Sequence, residues 1–293
     1  MICYPKVKIN LGLNVLRRRE DGFHDLETLF VPCEQFQDTL EIIPGDDYSR
    51  TMTSLVDRYA PVSSQTPAFG QPSAAPRLRQ AISPDGKLMI TIARAEGVDW
   101  EPLEDLTAKA YRLLDKDYKL PPVKIYLEKT SPVGAGLGGG SADAAQALKA
   151  ISSLFELNLS QRELAARASR LGSDCAFFIY DHPMFGSGRG EILTPMDIDL
   201  SPFRIEVVVP EGISVSTADA YRGISPRTPS KALKEILRQS PETWRDELVN
   251  DFELTVFQKY PALARFKAEL YDRGAVYASM SGSGSALFGL FRA

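Results

Sequence analysis

The chain has 293 residues, 44% hydrophobic and 25% charged, with a net charge of −4. That suits a soluble globular protein with room for two modest domains, and it offers neither a basic footprint for nucleic acid nor an apolar run of about 18 residues to span a membrane. Three cysteines without C-x-x-C spacing and two isolated histidines argue against a disulfide framework, a zinc site and a His-based metal site.

In chain order, Val7 to Val15 reads as a strand, and Lys6 and Lys8 interrupt what would be the apolar core of an export signal. The chain therefore reads as cytoplasmic, with small molecules as partners and with monomer and weak dimer both open. Gln37 to Ile43 reads as a second strand. Pro61, Pro67, Pro72, Pro76 and Pro84 fall within 24 residues, so 45–86 reads as a variable Pro-rich insertion, a long loop or partly disordered. Lys87 to Ala93 reads as a strand and Leu103 to Leu114 as a helix. Val123, Ile125 and Leu127 alternate with Lys124, Tyr126 and Glu128, the period of a strand. Ala142 to Phe155 is rich in helix formers. Ser160-Gln161-Arg162-Glu163 is a capping box whose helix runs to Leu171, with Gly172 as its stop. Ala176 to Tyr180 reads as a buried strand, and Arg204 to Val209 as an alternating-to-apolar strand. Ser230 to Arg238, Pro241 to Gln258 and Pro261 to Arg273 read as three helices. Ala275 to Met280 and Ser285 to Phe291 read as a β-hairpin joined through Ser281-Gly282-Ser283-Gly284. Strands group apart from helices, which makes the class α+β.

The most informative segment is Pro132-Val133-Gly134-Ala135-Gly136-Leu137-Gly138-Gly139-Gly140-Ser141-Ala142-Asp143. Five of the nine residues Pro132 to Gly140 are glycine, between a strand and a helix N-terminus. Glycine lets backbone N–H groups approach a ligand, and the helix start adds unpaired donors and partial positive charge, so the segment reads as a phosphate site. It lacks the Gly-Lys-Ser/Thr ending of a P-loop. Gly134-x-Gly136-x-x-Gly139, with Glu156 downstream, fits the dinucleotide fingerprint, but it follows about 120 residues without strand–helix alternation; a nicotinamide-dependent oxidoreductase is a rival reading. Lys8 and Asn10 share one face of the first strand. That face is either solvated or functional, because a lysine there would balance charge on a moving phosphoryl group. Asp174, in Gly172-Ser173-Asp174-Cys175, is either a turn residue or a carboxylate that takes a proton from an attacking alcohol. The Ser281 to Ser285 turn is either only a hairpin or a second backbone clamp for phosphate.

These pieces in this order resemble the GHMP kinase superfamily. The matching motifs are Pro5 to Leu11, Pro132 to Ala145 and Ser279 to Leu287, spread over nearly the whole chain. Within it, four segments resemble the branch that phosphorylates a cytidine-diphosphate-linked methylerythritol in non-mevalonate isoprenoid biosynthesis: Lys8 to Leu11, Asp21 to Phe30, Leu171 to Asp174, and Gly188 to Pro195. The resemblance implies an α+β, two-domain GHMP kinase fold, with an N-terminal half like ribosomal protein S5 domain 2 over 1–153, an α/β-plait-like half over 154–293, and the active site in the cleft between them. It implies ATP as donor, Mg²⁺ as the divalent cation, and transfer to the 2-hydroxyl of the methylerythritol. Asp174 would take the proton and Lys8 would orient it and balance charge. Pro132 to Ala142 would hold the ATP phosphates. Asn10, Phe23, His24, Thr217, Tyr221, Gly282 and Ser283 would contact the substrate, with Phe23 and Tyr221 sandwiching cytosine and His24 at its edge. A GHMP kinase for mevalonate or homoserine, or a non-catalytic binding module of the same fold, are the alternatives. The chain departs from the pattern in the long 45–86 segment, in Asp105-Leu106 where the family commonly has Asn-Leu, and in stopping soon after the Ser281 hairpin.

Overall fold

A computed structural model describes residues 1–59 and 75–293; Pro61, Pro67 and Pro72 lie outside the described residues. The strands are β1 (Ile2–Cys3), β2 (Lys6–Arg18), β3 (His24–Gln37), β4 (Thr39–Pro44), β5 (Leu78–Ile82), β6 (Leu88–Arg94), β7 (Val123–Lys129), β8 (Met184–Ser187), β9 (Ile192–Pro195), β10 (Phe203–Val208), β11 (Tyr277–Met280) and β12 (Leu287–Arg292). The α-helices are α1 (Met52–Tyr59), α2 (Leu106–Tyr118), α3 (Gly139–Leu154), α4 (Gln161–Ala168), α5 (Cys175–Tyr180), α6 (Thr217–Arg222), α7 (Leu233–Leu237), α8 (Phe252–Lys259) and α9 (Pro261–Asp272). Two compact units interleave along the chain. The first gathers Met1–Pro5, Phe36–Ser131 and Gly139–Ile179; the second gathers Lys6–Gln35, Pro132–Gly138 and Tyr180–Ala293. Each draws on both sequence halves, so this partition differs from a division at 153/154.

The first unit is built on a five-stranded sheet in the order β1-β4-β7-β6-β5, with β6 and β7 parallel and the other neighbours antiparallel. In β7 the alternation expected from sequence is present, yet both faces are buried, Glu128 included. The reason is α1. Its Leu55 packs with Ile43, Ala93 and Tyr126, and Tyr59 Oη and Arg58 Nη2 donate to Glu128 at 2.8 and 2.9 Å. Thus 45–86 is not one long loop: Met52–Tyr59 is helical and Leu78–Ile82 is a strand of the sheet. Helix α2 starts at Asp105, whose carboxylate accepts from the Thr107 N–H at 2.9 Å; Asp caps as well as Asn, so this departure leaves the cap intact. Helix α3 packs on α2 and β4 through a face rich in alanine. The capping box forms as expected: Ser160 Oγ accepts from the Glu163 N–H, and Glu163 Oε2 from the Ser160 N–H. That helix ends at Ala168 rather than Leu171, because Arg170 and Leu171 close tighter turns three residues back. Ala176 to Tyr180 is helical, not a strand. A five-residue apolar run has no period long enough to tell the two apart.

The second unit holds two sheets. Strands β2, β3, β8 and β9 are neighbours in that order, and β12 pairs antiparallel with both β10 and β11. The expected C-terminal hairpin is β11–β12, covered by Leu263 and Leu270 of α9. Pro241 to Gln258 is not one helix. A 3-10 turn (Pro241–Asp246) and α8 flank a segment that pairs with β2: the Leu13 N–H reaches Val249 O at 2.9 Å, and the Asp251 N–H reaches Leu13 O at 2.8 Å. Strand pairing there outweighs helix propensity. Ser230 to Arg238 likewise shortens to α7.

Candidate active site

Strand β2 carries Val7, Ile9, Leu11 and Leu13 into the core, and Lys8 and Asn10 on the other face are only 2% exposed. The solvated reading of that face is therefore overturned. A buried ammonium needs partners. Lys8 Nζ donates to Asn10 Oδ1 at 2.5 Å and to the Gly136 carbonyl at 2.9 Å, and it stands 5.5 Å from the Phe30 ring centroid. Asn10 Nδ2 donates to Thr28 Oγ1 at 3.0 Å, and Thr28 Oγ1 donates to Gly12 O at 2.6 Å. The Lys8 N–H bonds Leu137 O at 2.9 Å. The first strand and the glycine loop are thus joined by backbone and side chain.

The loop's local shape follows from its glycines. Gly134, Gly136 and Gly138 have φ of +72°, +79° and +73°, while Ala135 and Leu137 between them do not. Alternation of this kind is the backbone pattern from which anion nests are made. It runs into Gly139, the first residue of α3, where the helix N-terminus adds its own donors.

The Ser281 to Ser285 turn is a hairpin connection, and it also packs on the loop. Ser281 Oγ donates to Gly136 O at 3.0 Å, and the Ala286 N–H donates to Ala135 O at 3.0 Å. A Cβ on Gly282 would lie 3.1 Å from Gly136 O and 3.4 Å from Lys8 Nζ. Asn250 holds the turn by donating to Met280 O and Gly282 O at 2.7 and 2.8 Å, and Ser283 meets Thr217 at 3.1 Å. Asn250, at 3% exposure, is a site-supporting residue that sequence reasoning missed, because it lay inside an expected helix.

Asp174 lies half-buried in the turn from α4 to α5, with Ser173 Oγ 3.3 Å from its Oδ1. The next residue, Cys175, is fully buried, and burial pushes its thiol up to about 12, against the opposing hydrogen bond with Ser141 of α3. This contact ties the Asp174 turn to the first turn of the helix that follows the glycine loop. Lys8 belongs to the second compact unit and Asp174 to the first.

Each of the aromatic residues expected at the base site has a ring contact of its own. Tyr221 stacks on His24, with centroids 4.8 Å apart and planes at 20°, and meets Phe252 edge-on. Phe23 is 54% exposed, and the Arg189 guanidinium sits 4.9 Å from its ring centroid. Sequence reasoning did not single out Arg189 beside Phe23, although its Gly188 to Pro195 segment helped mark the family branch. Burial, helped by the charge of Arg18, holds His24 below its ordinary 6.5, so its ring is neutral at pH 7.

The comparisons with known proteins agree with this geometry. The GHMP kinases N terminal domain profile matches residues 105–182, and the GHMP kinases C terminal profile matches 232–293. A 4-diphosphocytidyl-2-C-methyl-D-erythritol kinase from Bacteroides fragilis is 41% identical over 99% of this chain and 92% of its own length. The enzyme of that name from Azobacteroides pseudotrichonymphae is 41% identical over 100% and 94%. A crystal structure of 4-(cytidine 5'-diphospho)-2C-methyl-D-erythritol kinase superposes with a TM-score of 0.71 at 31% identity, covering 99% of this chain and 90% of the other. Likeness of this extent makes the chain a member of the 4-diphosphocytidyl-2-C-methyl-D-erythritol kinase family of GHMP kinases.

Proposed function

We propose that the protein transfers the γ-phosphoryl group of ATP to the 2-hydroxyl of 4-diphosphocytidyl-2-C-methyl-D-erythritol, in the cytoplasm. The new bond joins the substrate oxygen to Pγ, the bond from Pγ to the β,γ-bridging oxygen breaks, the hydroxyl proton goes to Asp174, and ADP leaves. The observation that carries this reading is the Lys8 ammonium, buried and held at the Gly136 carbonyl with Gly282 beside both. A fixed cation at an anion nest is what phosphoryl transfer asks for, since its catalysis is mostly positioning and charge stabilisation. Residues 132–142 hold the phosphates, and Asn10 with the Gly282–Ser283 and Thr217 edge orients the acceptor. Cytosine stacks against Phe23 and Tyr221, with His24 at its edge. Mg²⁺ supplies charge neutralisation when bound. Among the described residues no group of three or more His, Cys, Asp or Glu could hold a metal unaided, which suits a cation that arrives on the nucleotide's own phosphates.

The test is ADP release by the purified protein with the cytidyl substrate, with mevalonate and with homoserine, and phosphorus NMR of the product. Turnover of the cytidyl compound alone, phosphorylated at the 2-position, is expected. Equal turnover of mevalonate or homoserine, or phosphate on another oxygen, overturns the assignment.

A further inference from the structure

We propose that Lys129 and Asp143 are positioning residues for ATP, parts of a buried ion cluster that clamps the two ends of the glycine loop and so fixes where α3 presents its first N–H groups. The proposal rests on the loop being the triphosphate site.

The cluster lies wholly within the first compact unit. Side chains of Lys129, Asp38 and Asp143 are 3%, 1% and 2% exposed. Lys129 Nζ donates to Asp38 Oδ2, to Asp143 Oδ2 at 2.6 Å and to Ser131 Oγ at 3.2 Å. Asp38 Oδ1 accepts the N–H groups of Thr130 and Ser131, each at 2.7 Å, and its Oδ2 accepts Ser131 Oγ at 2.6 Å. Asp38 therefore fixes the residues that lead into the loop. Asp143 sits in the second turn of the helix that leads out of it, and Lys129 joins the two sides. Gly139 closes the same base: a Cβ there would stand 2.3 Å from Ser131 Oγ and 3.4 Å from Lys129 Nζ.

Stability alone does not account for this arrangement. Buried ion clusters are commonly replaced by apolar side chains without loss, because desolvation offsets attraction. Here Asp143 Oδ1 is buried with no hydrogen-bond partner, so part of the desolvation cost brings no return in bonding. The cluster does supply geometry. It holds the span from residue 131 to residue 139 closed, and small misplacements at a phosphate site cost large factors in rate. The two carboxyls are unlike. Burial raises Asp38, but Lys129 and the Ser131 bonds prevail and hold it below the ordinary value; at Asp143 burial prevails over Lys129 and holds it well above. Removing Asp143 thus leaves a balanced Lys129–Asp38 pair and no orphaned charge.

The experiment compares Asp143→Ala and Asp143→Asn with wild type by steady-state kinetics for each substrate, ATP calorimetry and thermal melting. In Asp143→Ala the KM for ATP is expected to rise roughly 10–100-fold, with the KM for the cytidyl substrate within about twofold. Asp143→Asn keeps an amide oxygen for Lys129 and is expected to restore most of the ATP affinity. A lowered melting temperature with unchanged ATP affinity, a loss shared equally by both substrates, or no rescue by Asn overturns the proposal. Wild-type protein that binds no ATP overturns the reading beneath it; wild type and Asp143→Ala binding ATP equally well overturns this proposal alone.

Discussion

Three glycines of one loop should respond to alanine in three different ways. At Gly134, φ is +72° and no atom lies within 4 Å of an added Cβ. The cost is the left-handed conformation alone, about 1–2 kcal/mol, less a few tenths recovered from a stiffer unfolded chain. At Gly136, φ is +79° and the Cβ would lie 2.1 Å from the Ser281 carbonyl oxygen, closer than any real contact. The chain must move, and overpacking adds about 1–3 kcal/mol. The movement also strains the bonds from Lys8 Nζ and Ser281 Oγ to Gly136 O. At Gly140, within α3, only Leu106 Cδ1 at 3.9 Å is near, and alanine gains about 0.5–1 kcal/mol of helix propensity. At about 2–4 °C per kcal/mol for a chain somewhat smaller than this one, melting followed by circular dichroism should show Gly140→Ala unchanged or slightly higher. Gly134→Ala should fall by a few degrees and Gly136→Ala by roughly 5–15 °C. The kcat/KM for ATP should drop roughly 100-fold in Gly136→Ala as Lys8 loses its anchor. If Gly136→Ala melted with Gly134→Ala and kept its ATP kinetics, the packing of the hairpin on the loop would be refuted.

Asp174→Asn should keep its fold and its affinity for both substrates while losing roughly 10²–10⁴-fold in kcat; near-normal turnover would remove the general-base role. Lys8→Met, which keeps the buried volume, should lose a similar factor, and the double variant should lose far less than the product of the two. Because burial, aided by Arg18, lowers the His24 pKa from 6.5, the KM for the cytidyl substrate should climb as acid protonates the ring. The midpoint of the climb should lie below 6.5, as the neutral ring is lost, and His24→Gln should abolish the climb; a midpoint above 6.5 would contradict the lowered value. Phe23→Ala should raise the cytidyl KM by roughly 5–150-fold, the range set by stacking on a base, and leave the KM for ATP alone. A uridyl analogue should be rejected for its mismatched ring edge.

Where local chemistry decides structure, the sequence was legible. The capping box at Ser160, the strand at Val123, the glycine loop into α3 and the C-terminal hairpin all form with small shifts at their ends. Two of the misreadings share one cause, a partner distant in sequence. Leu248 to Asn250 leaves the helical pattern because Leu13 of β2 offers backbone bonds. Met52 to Tyr59 folds as a helix over the second face of β7, where Glu128 waits for Arg58 and Tyr59. Neither partnership leaves a mark in the local period of either segment.

The site shows the same division more sharply. Lys8 and Asn10 alternate with aliphatics, and that pattern describes equally a strand with one wet face and a strand buried on both sides. The difference lies in acceptors: Gly136 O is 128 residues away from Lys8, and Thr28 is 18 away from Asn10. A buried ammonium without them would cost several kcal/mol. Those acceptors are themselves placed by glycines, because the loop carbonyl can face Lys8 only while Gly136 holds its positive φ against the Ser281 turn. The proposed catalytic role is thus a joint property of three segments, none of which settles it alone. The Gly136 substitution tests that joint property most directly, since it leaves Lys8, Asp174 and every aromatic residue in the sequence untouched.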